Sequence, residues 1–127
     1  MLQGDHITYL NIFNKFMGIK NEGQRIAFCK SLRINHKALS QANRIRLMLI
    51  TTFQESGISL KENDDYDDPV AIVKSILSGF FTNVAVRVSA KEYRCLSQSG
   101  DDKLMEISPL SVLNNICPKY LVFTSVH

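Results

Sequence analysis

The chain has 127 residues and a mass of 14.4 kDa, with 45% hydrophobic, 21% charged and 9% aromatic residues. That near-average make-up excludes collagen-like, low-complexity and wholly disordered classes, and no apolar run approaches the roughly 20 residues that a membrane span needs. The net charge of +3 hides an asymmetry: residues 1–60 carry eight Lys/Arg against Asp5, Glu22 and Glu55, whereas residues 61–127 carry seven against nine acids. Asp5, His6 and Asn11 break up any signal-peptide pattern near the start, so a soluble, intracellular chain is expected.

Asp5 is placed to cap a first helix that runs to Gly18, and its apolar positions cover more than one stripe, which predicts burial on more than one side. A short second helix is expected over Glu22–Leu32. Asn35 can cap a third, in which Ala38, Ala42, Ile45, Leu49 and Phe53 recur at helical spacing and Ser56-Gly57 supplies the stop. The run Glu62 to Asp68 reads as a solvated acidic loop, since it lacks the residue order of a calcium-binding loop. Its last member can cap a fourth helix with Pro69 at the first helical position. There Val70, Val73, Ile76, Leu77, Phe80, Phe81 and Val84 form the strongest helical stripe of the chain. Gly79 inside that stripe predicts close helix–helix packing, because glycine otherwise costs a helix interior roughly 1 kcal/mol.

After about Val86 the period changes. Lys91–Ser97, Leu104–Ile107 and Lys119–Val126 read as strands, the first two joined through the turn-forming Gly100-Asp101-Asp102. Three strands leave both edges open, and the last reaches the end of the sequence, so the chain is expected to stop partway through a β module. The fold class expected is α+β, a bundle of about four helices followed by a short, incomplete antiparallel β-barrel.

Catalytic signatures are absent. Cys29, Cys95 and Cys117 and the three histidines are too dispersed for a zinc site and read as reduced, packed thiols and isolated imidazoles. There is no phosphate loop, no G-x-G-x-x-G, no nucleophile elbow and no H-E-x-x-H. Asp5 beside His6 could orient a general base, but neighbours on a helix point about 100° apart, so a cap and a packing residue are the simpler reading. No catalytic or metal-ligating residue is expected. The basic excess peaks between Lys20 and Arg46, where Glu22 is the only acid; polyanion contact and a solvated helix face both account for it.

Seven segments, in order, resemble the C-terminal accessory region of DEAH-box RNA helicases. Gly4-Asp5-His6-Ile7-Thr8-Tyr9-Leu10-Asn11 is similar to the family's G-D-H-x-T-x-L-N run. Phe28-Cys29 stands where Trp-Cys is usual. Leu39, Ala42, Ile45-Arg46 and Leu49 match its L-x-x-A-x-x-[IV]-R-x-x-L helix. The run from Ile76 to Ala85, with Gly79, Phe80 and Phe81, resembles I-x-x-G-F-F-x-N-x-A, and Tyr93-Arg94 resembles the first strand that follows. Ile107 to Leu113 looks like I-H-P-x-S-V-L, with Ser108 in place of His and Pro109 retained, and Pro118, Tyr120 and Val122 resemble P-x-[WY]-[VL]-[VIL].

The resemblance implies a piece of a larger helicase, with residues 1–86 from the helicase-associated (HA2, ratchet-like) region and 87–127 from the start of an oligonucleotide-binding (OB) fold. The ATP and Mg2+ of the whole protein would be held by RecA-like motor domains that this sequence lacks, and no cofactor is implied for the piece itself. The implied function is a non-catalytic segment that helps form the single-stranded RNA channel and docks on the RecA-like motor and winged-helix domains. The alternative is a module that binds motor domains or a regulatory protein without touching RNA. Lys37, Arg44, Lys91 and Arg94 are the implied RNA contacts. Gly4, Asp5 and His6 are taken as shaping residues, and Arg46 as a hydrogen-bonded tie between helices. RNA processing in the nucleus or nucleolus follows by family analogy.

Overall fold

A three-residue connection, Ile19–Asn21, and a four-residue connection ending at Asn35 break the first half of the chain into three helices, α1 (Asp5–Gly18), α2 (Glu22–Ser31) and α3 (His36–Glu55). The structure, a computed structural model, describes residues 4–60, 68–97 and 103–126. The chain divides into two compact units, Tyr9–Tyr66 and the combination of Met1–Thr8 with Asp67–His127.

In the helical unit Asn35 caps α3 as the sequence predicts, and Asn21, which the sequence reading does not single out, caps α2. Asn35 Oδ1 accepts the amides of Lys37 (2.9 Å) and Ala38 (3.3 Å), and Asn21 Oδ1 accepts that of Gln24 (3.1 Å). Each thereby satisfies amides that a helix start leaves without partners. Both α2 and α3 end in the same way: Ile34 N donates to Cys29 O (2.8 Å) around Arg33 at φ 55°, and Ile58 N donates to Phe53 O (2.9 Å) around Gly57 at φ 74°. Glycine takes this left-handed position freely, whereas Arg33 holds it at a cost of about 1 kcal/mol. Phe16 and Cys29, each 1% exposed, form the core. The Phe16 ring meets His36 edge-on at 5.6 Å and lies under the Arg25 guanidinium at 5.0 Å.

Burial elsewhere departs from expectation. In α1 the residues below one-tenth exposure are Ile7 and Phe16, while Tyr9 is 68% exposed. The apolar stripe of α3 exists, but no residue of that helix is buried, and Ile45, Leu49 and Phe53 are each more than 40% exposed. α3 is thus a 20-residue amphipathic helix whose apolar stripe is left largely uncovered among the described residues.

In the second unit, α4 (Pro69–Gly79) starts as predicted, with Asp68 Oδ1 accepting the Val70 amide at 2.9 Å and Pro69 at the first position. It stops earlier than its stripe suggests. Phe80 N closes the last turn on Ile76 O (3.0 Å), Asn83 N then bonds Phe80 O (2.8 Å), and Val84 opens a strand. Gly79 is thus the last helical residue, and nothing lies within 4 Å of where its Cβ would be, so it serves no close packing.

Among the described residues four strands follow: β1 (Val84–Arg87), β2 (Glu92–Cys95), β3 (Met105–Glu106) and β4 (Tyr120–Val122). All pair antiparallel in the order β3-β2-β1-β4, an open sheet that leaves β3 and β4 at its edges. The three expected strands are present but shorter, and β4 ends at Val122 rather than reaching the terminus. The strand missed is β1, which pairs with β2 on one side and β4 on the other. The Gly100-Asp101-Asp102 turn and the acidic residues 62–67 lie outside the described residues. The architecture is α+β, four helices and an antiparallel sheet among the described residues.

One sheet face is buried: Ala85 (0% exposed), Tyr93 (1%) and Cys95 (9%) lie on it, as the register Ala85↔Cys95 and Arg87↔Tyr93 requires. From that face Tyr93 Oη donates to Pro118 O (2.7 Å) and Arg87 Nη1 donates to Cys117 O (2.6 Å). Two neighbouring side chains thus hold two consecutive carbonyls just ahead of β4, where Cys117 adopts φ 45°. Burial raises the Tyr93 phenol above its ordinary value, with the nearby Cys117 thiol adding to the effect and Arg87 opposing it.

The two chain ends of this unit meet. Asp5 Oδ1 accepts the Val112 amide at 3.0 Å, and Gly4, at φ 97°, faces Leu113, whose Cδ1 would lie 3.5 Å from an added Cβ. Asp5 is therefore the first residue of α1 and reaches across to the 111–113 turn, rather than capping its own helix.

Candidate nucleic-acid interface

A single-stranded polyanion is held by cations that follow its phosphates and by aromatic rings on which bases stack. In the helical unit, Lys37 and Arg44 are seven residues apart on α3, which places them on one face about 10 Å apart along the axis. Both are exposed. Lys37 sits in the first turn, beside the Asn35 cap. Arg46, on the same helix, is exposed, and among the described residues its side chain makes no hydrogen bond or ion pair, so the expected tie between helices is not formed there. Arg25 is the arginine that ties this unit together: its Nε donates to Ile19 O (2.7 Å) while its plane covers Phe16. Its signal in the sequence was only its place in the basic stretch.

In the sheet unit, Lys91 lies in the β1–β2 connection and Arg94 on β2, both exposed. Side chains alternate across a strand, so Arg94 points away from the buried Tyr93 and Cys95. The register carries that outer face across three strands, because Val86 pairs with Arg94 on one side and with Tyr120 on the other. Tyr120 is 57% exposed, and the Lys119 ammonium sits 5.4 Å from its ring centroid. The same face is acidic toward β3, where Glu92 pairs with Glu106 and also accepts from Ser89 Oγ at 2.6 Å. The four nominated cations thus fall two in each unit. Of the shaping residues, Gly4 and Asp5 meet the 111–113 turn, His6 is half-buried, Phe80 and Phe81 are exposed at 38% and 72%, and Pro109 is exposed.

The sequence has no phosphate loop, and among the described residues no three His, Cys, Asp or Glu come together as metal ligands. No disulfide joins the three cysteines. No helix among the described residues is long and apolar enough to cross a membrane.

Residues 72–127 match the family described as the oligonucleotide/oligosaccharide-binding (OB) fold, a match that takes in most of α4 and all four strands. The class is thus an α+β chain whose sheet region is of OB type. Over nearly its full length the chain is similar to proteins named as ATP-dependent RNA helicases, in keeping with the motif order. It is 33% identical over 124 residues to ATP-dependent RNA helicase DHX33 of Drosophila melanogaster, covering 97% of this chain and 17% of that protein. Against the protein named "Probable ATP-dependent RNA helicase DHX35" it is 30% identical over 125 residues in both Homo sapiens and Pongo abelii, covering 98% of this chain. The chain spans about one sixth of the length of these relatives.

Proposed function

We propose that the chain is a non-catalytic accessory segment of an ATP-dependent DEAH-box RNA helicase, helping to form a path for single-stranded RNA and docking on the motor domains. The observation that carries this reading is the pairing of near-complete coverage by helicase relatives with an OB-type sheet region. On this reading residues 1–86 come from the helicase-associated region and 87–127 from the OB fold. ATP and Mg2+ belong to the motor domains of the whole protein, and RNA processing in the nucleus is its setting. A fission-yeast relative, 28% identical over 123 residues, supports that setting, because its name joins a pre-mRNA-splicing factor to an RNA helicase.

The test is fluorescence anisotropy of labelled decauridylate titrated with the chain across a salt series. Expected is weak binding whose affinity falls with rising salt, with Lys37→Glu and Arg44→Glu each lowering it severalfold and flattening the salt dependence. No binding at low salt overturns RNA contact by this segment. The second reading, docking without RNA contact, draws on the uncovered apolar face of α3; pull-down of isolated motor domains, weakened by Leu49→Glu, supports it.

A further inference from the structure

We propose that the outer stripe of α3 is a docking site for an acidic amphipathic helix of a partner protein. Ile45 and Leu49 form its apolar centre, and Lys37, Arg44 and Arg46 pair with the partner's carboxylates. The inference rests on the second reading above, docking without RNA contact, and adds the chemistry of the partner.

α3 has two apolar faces, and the fold uses one. His36, Leu39, Asn43 and Ile50, all half-buried, recur at i, i+3, i+7 and i+14. They make the inner face, on which His36 Nε2 lies 2.9 Å from Glu22 Oε1 of α2. At 100° per residue, Ala38, Ala42, Ile45, Leu49 and Phe53 form a second stripe about 120° round the helix from the first. All five are exposed, Ile45 and Leu49 at 47% each, and no residue of α3 is buried. The stripe runs about 22 Å along the axis, the length of a partner helix of about four turns. Ala38 and Ala42 keep its first half shallow, so a second helix can come close there, while the larger Ile45, Leu49 and Phe53 supply ridges further on.

Charge decides what covers the stripe. Arg46 borders it on one side, and Lys37 and Arg44 stand on the other, beyond Met48. These cations are exposed, and among the described residues their side chains make no hydrogen bond or ion pair. Glu55, the last residue, is the one acid of the helix. An apolar centre with an uncommitted basic rim is matched by a helix whose apolar face is edged with Asp and Glu. A second copy of this chain does not fit, because none of its described helices carries more than one acid. Two α3 stripes packed antiparallel about Ile45 would also set Arg44 of one copy opposite Arg46 of the other, and like charges repel. RNA would use the rim and leave the aliphatic stripe in water.

The probe is a fluorescein-labelled peptide of about 18 residues, with leucine at alternating three- and four-residue spacing and glutamate on either side. Titrated with the full chain and followed by anisotropy, it is expected to bind with an affinity that falls as salt rises. A peptide with lysine in place of glutamate is expected to bind about tenfold more weakly. Ile45→Ser and Leu49→Ser are each expected to lower affinity about tenfold. Arg44→Glu combined with Arg46→Glu is expected to reverse the preference between the two peptides. Circular dichroism of the serine variants controls for folding, and unchanged spectra are expected because both side chains are half exposed. Equal binding of the two peptides, or binding untouched by Leu49→Ser, overturns the site. Failure of the glutamate peptide to bind while isolated motor domains are retained overturns this partner chemistry and leaves the docking reading standing. Peptide binding without retention of motor domains supports the site and removes those domains as its partner. Self-association of the chain in sedimentation, abolished by Leu49→Ser, overturns the proposal by assigning the stripe to a second copy. Retention on phosphatidylserine vesicles in preference to the peptide overturns it in favour of a membrane surface.

Discussion

The Asp5 carboxylate accepts the amide of Val112, 107 residues further along the chain, at 3.0 Å. Two motifs that the sequence shows only as separate matches to one family, the Gly4-Asp5-His6 run and the Ser111-Val112-Leu113 run, are therefore a single structural element. Ser111 Oγ takes the Leu113 amide at 3.1 Å, and Gly4 comes up against Leu113 in a backbone conformation open to glycine. The bond between a charged acceptor and a half-buried amide also explains why this acid begins α1 without capping it.

Removing that acceptor leaves the Val112 amide without its partner. Asp5→Ala is expected to destabilise the sheet unit by about 1–3 kcal/mol, and Asp5→Asn by less, since an amide oxygen still accepts. Gly4→Ala adds a cost of about 1–2 kcal/mol from its left-handed φ. Urea denaturation of the three variants, compared at their midpoints, measures this; equal midpoints for Asp5→Ala and the unaltered chain would refute the role.

Tyr93 makes the stability of the sheet unit fall at alkaline pH. Its phenol is held above the ordinary value near 10 by burial, so the folded state keeps the proton that the unfolded chain gives up. The associated stability is complete below pH 10 and is lost as pH rises through the higher folded value. Tyr93→Phe loses the bond to Pro118 O, at a cost of about 1 kcal/mol below pH 10. The difference between the two chains is expected to shrink as denaturation midpoints are measured at successively higher pH above 10.

Gly79 is a place where a side chain is welcome. With nothing within 4 Å of the added Cβ and a final helical position, Gly79→Ala is expected to raise stability by up to about 1 kcal/mol. A drop in thermal midpoint would mean that the glycine has a packing partner after all.

Two apolar residues of the helical unit are expected to respond very differently to truncation. Phe16→Ala removes a ring that is 1% exposed and costs about 3–5 kcal/mol. Leu49→Ala, in a side chain 47% exposed, costs less than about 1 kcal/mol. Helical circular dichroism in urea separates the two, and comparable losses would show that α3 is covered in solution.

Local signals made the helices legible. Asn35, Asp68 and Pro69 mark starts and Gly57 marks a stop through chemistry that acts within a few residues. β1 was hidden because Val84 continues the i+3, i+4 spacing of Phe80 and Phe81, so one residue satisfies two periods. The alternation of Val84, Val86 and Val88 was the competing signal, and the bond from Asn83 N to Phe80 O settles the matter by closing a turn before it. Gly79 was misread for a related reason, since helical spacing carried on to Val84 makes an interior position of the helix's last residue. At the candidate interface the cations were readable as charge, but the row Arg94–Val86–Tyr120 was not. Strand register is set by pairing between residues far apart in sequence, and Tyr120 gains its meaning from a strand that was not expected.

The first four residues of α1 are grouped with the strands and the rest of the same helix with α2 and α3. The sheet unit is therefore not encoded by a continuous stretch of sequence. A fragment cut at residue 68 would hold every strand and the whole of α4, yet it would lack Gly4, Asp5 and the buried Ile7. Trimming the chain to its recognisable β module thus takes away part of that module's own foundation, and an insertion or cleavage within the opening residues would be felt at the far end of the sequence.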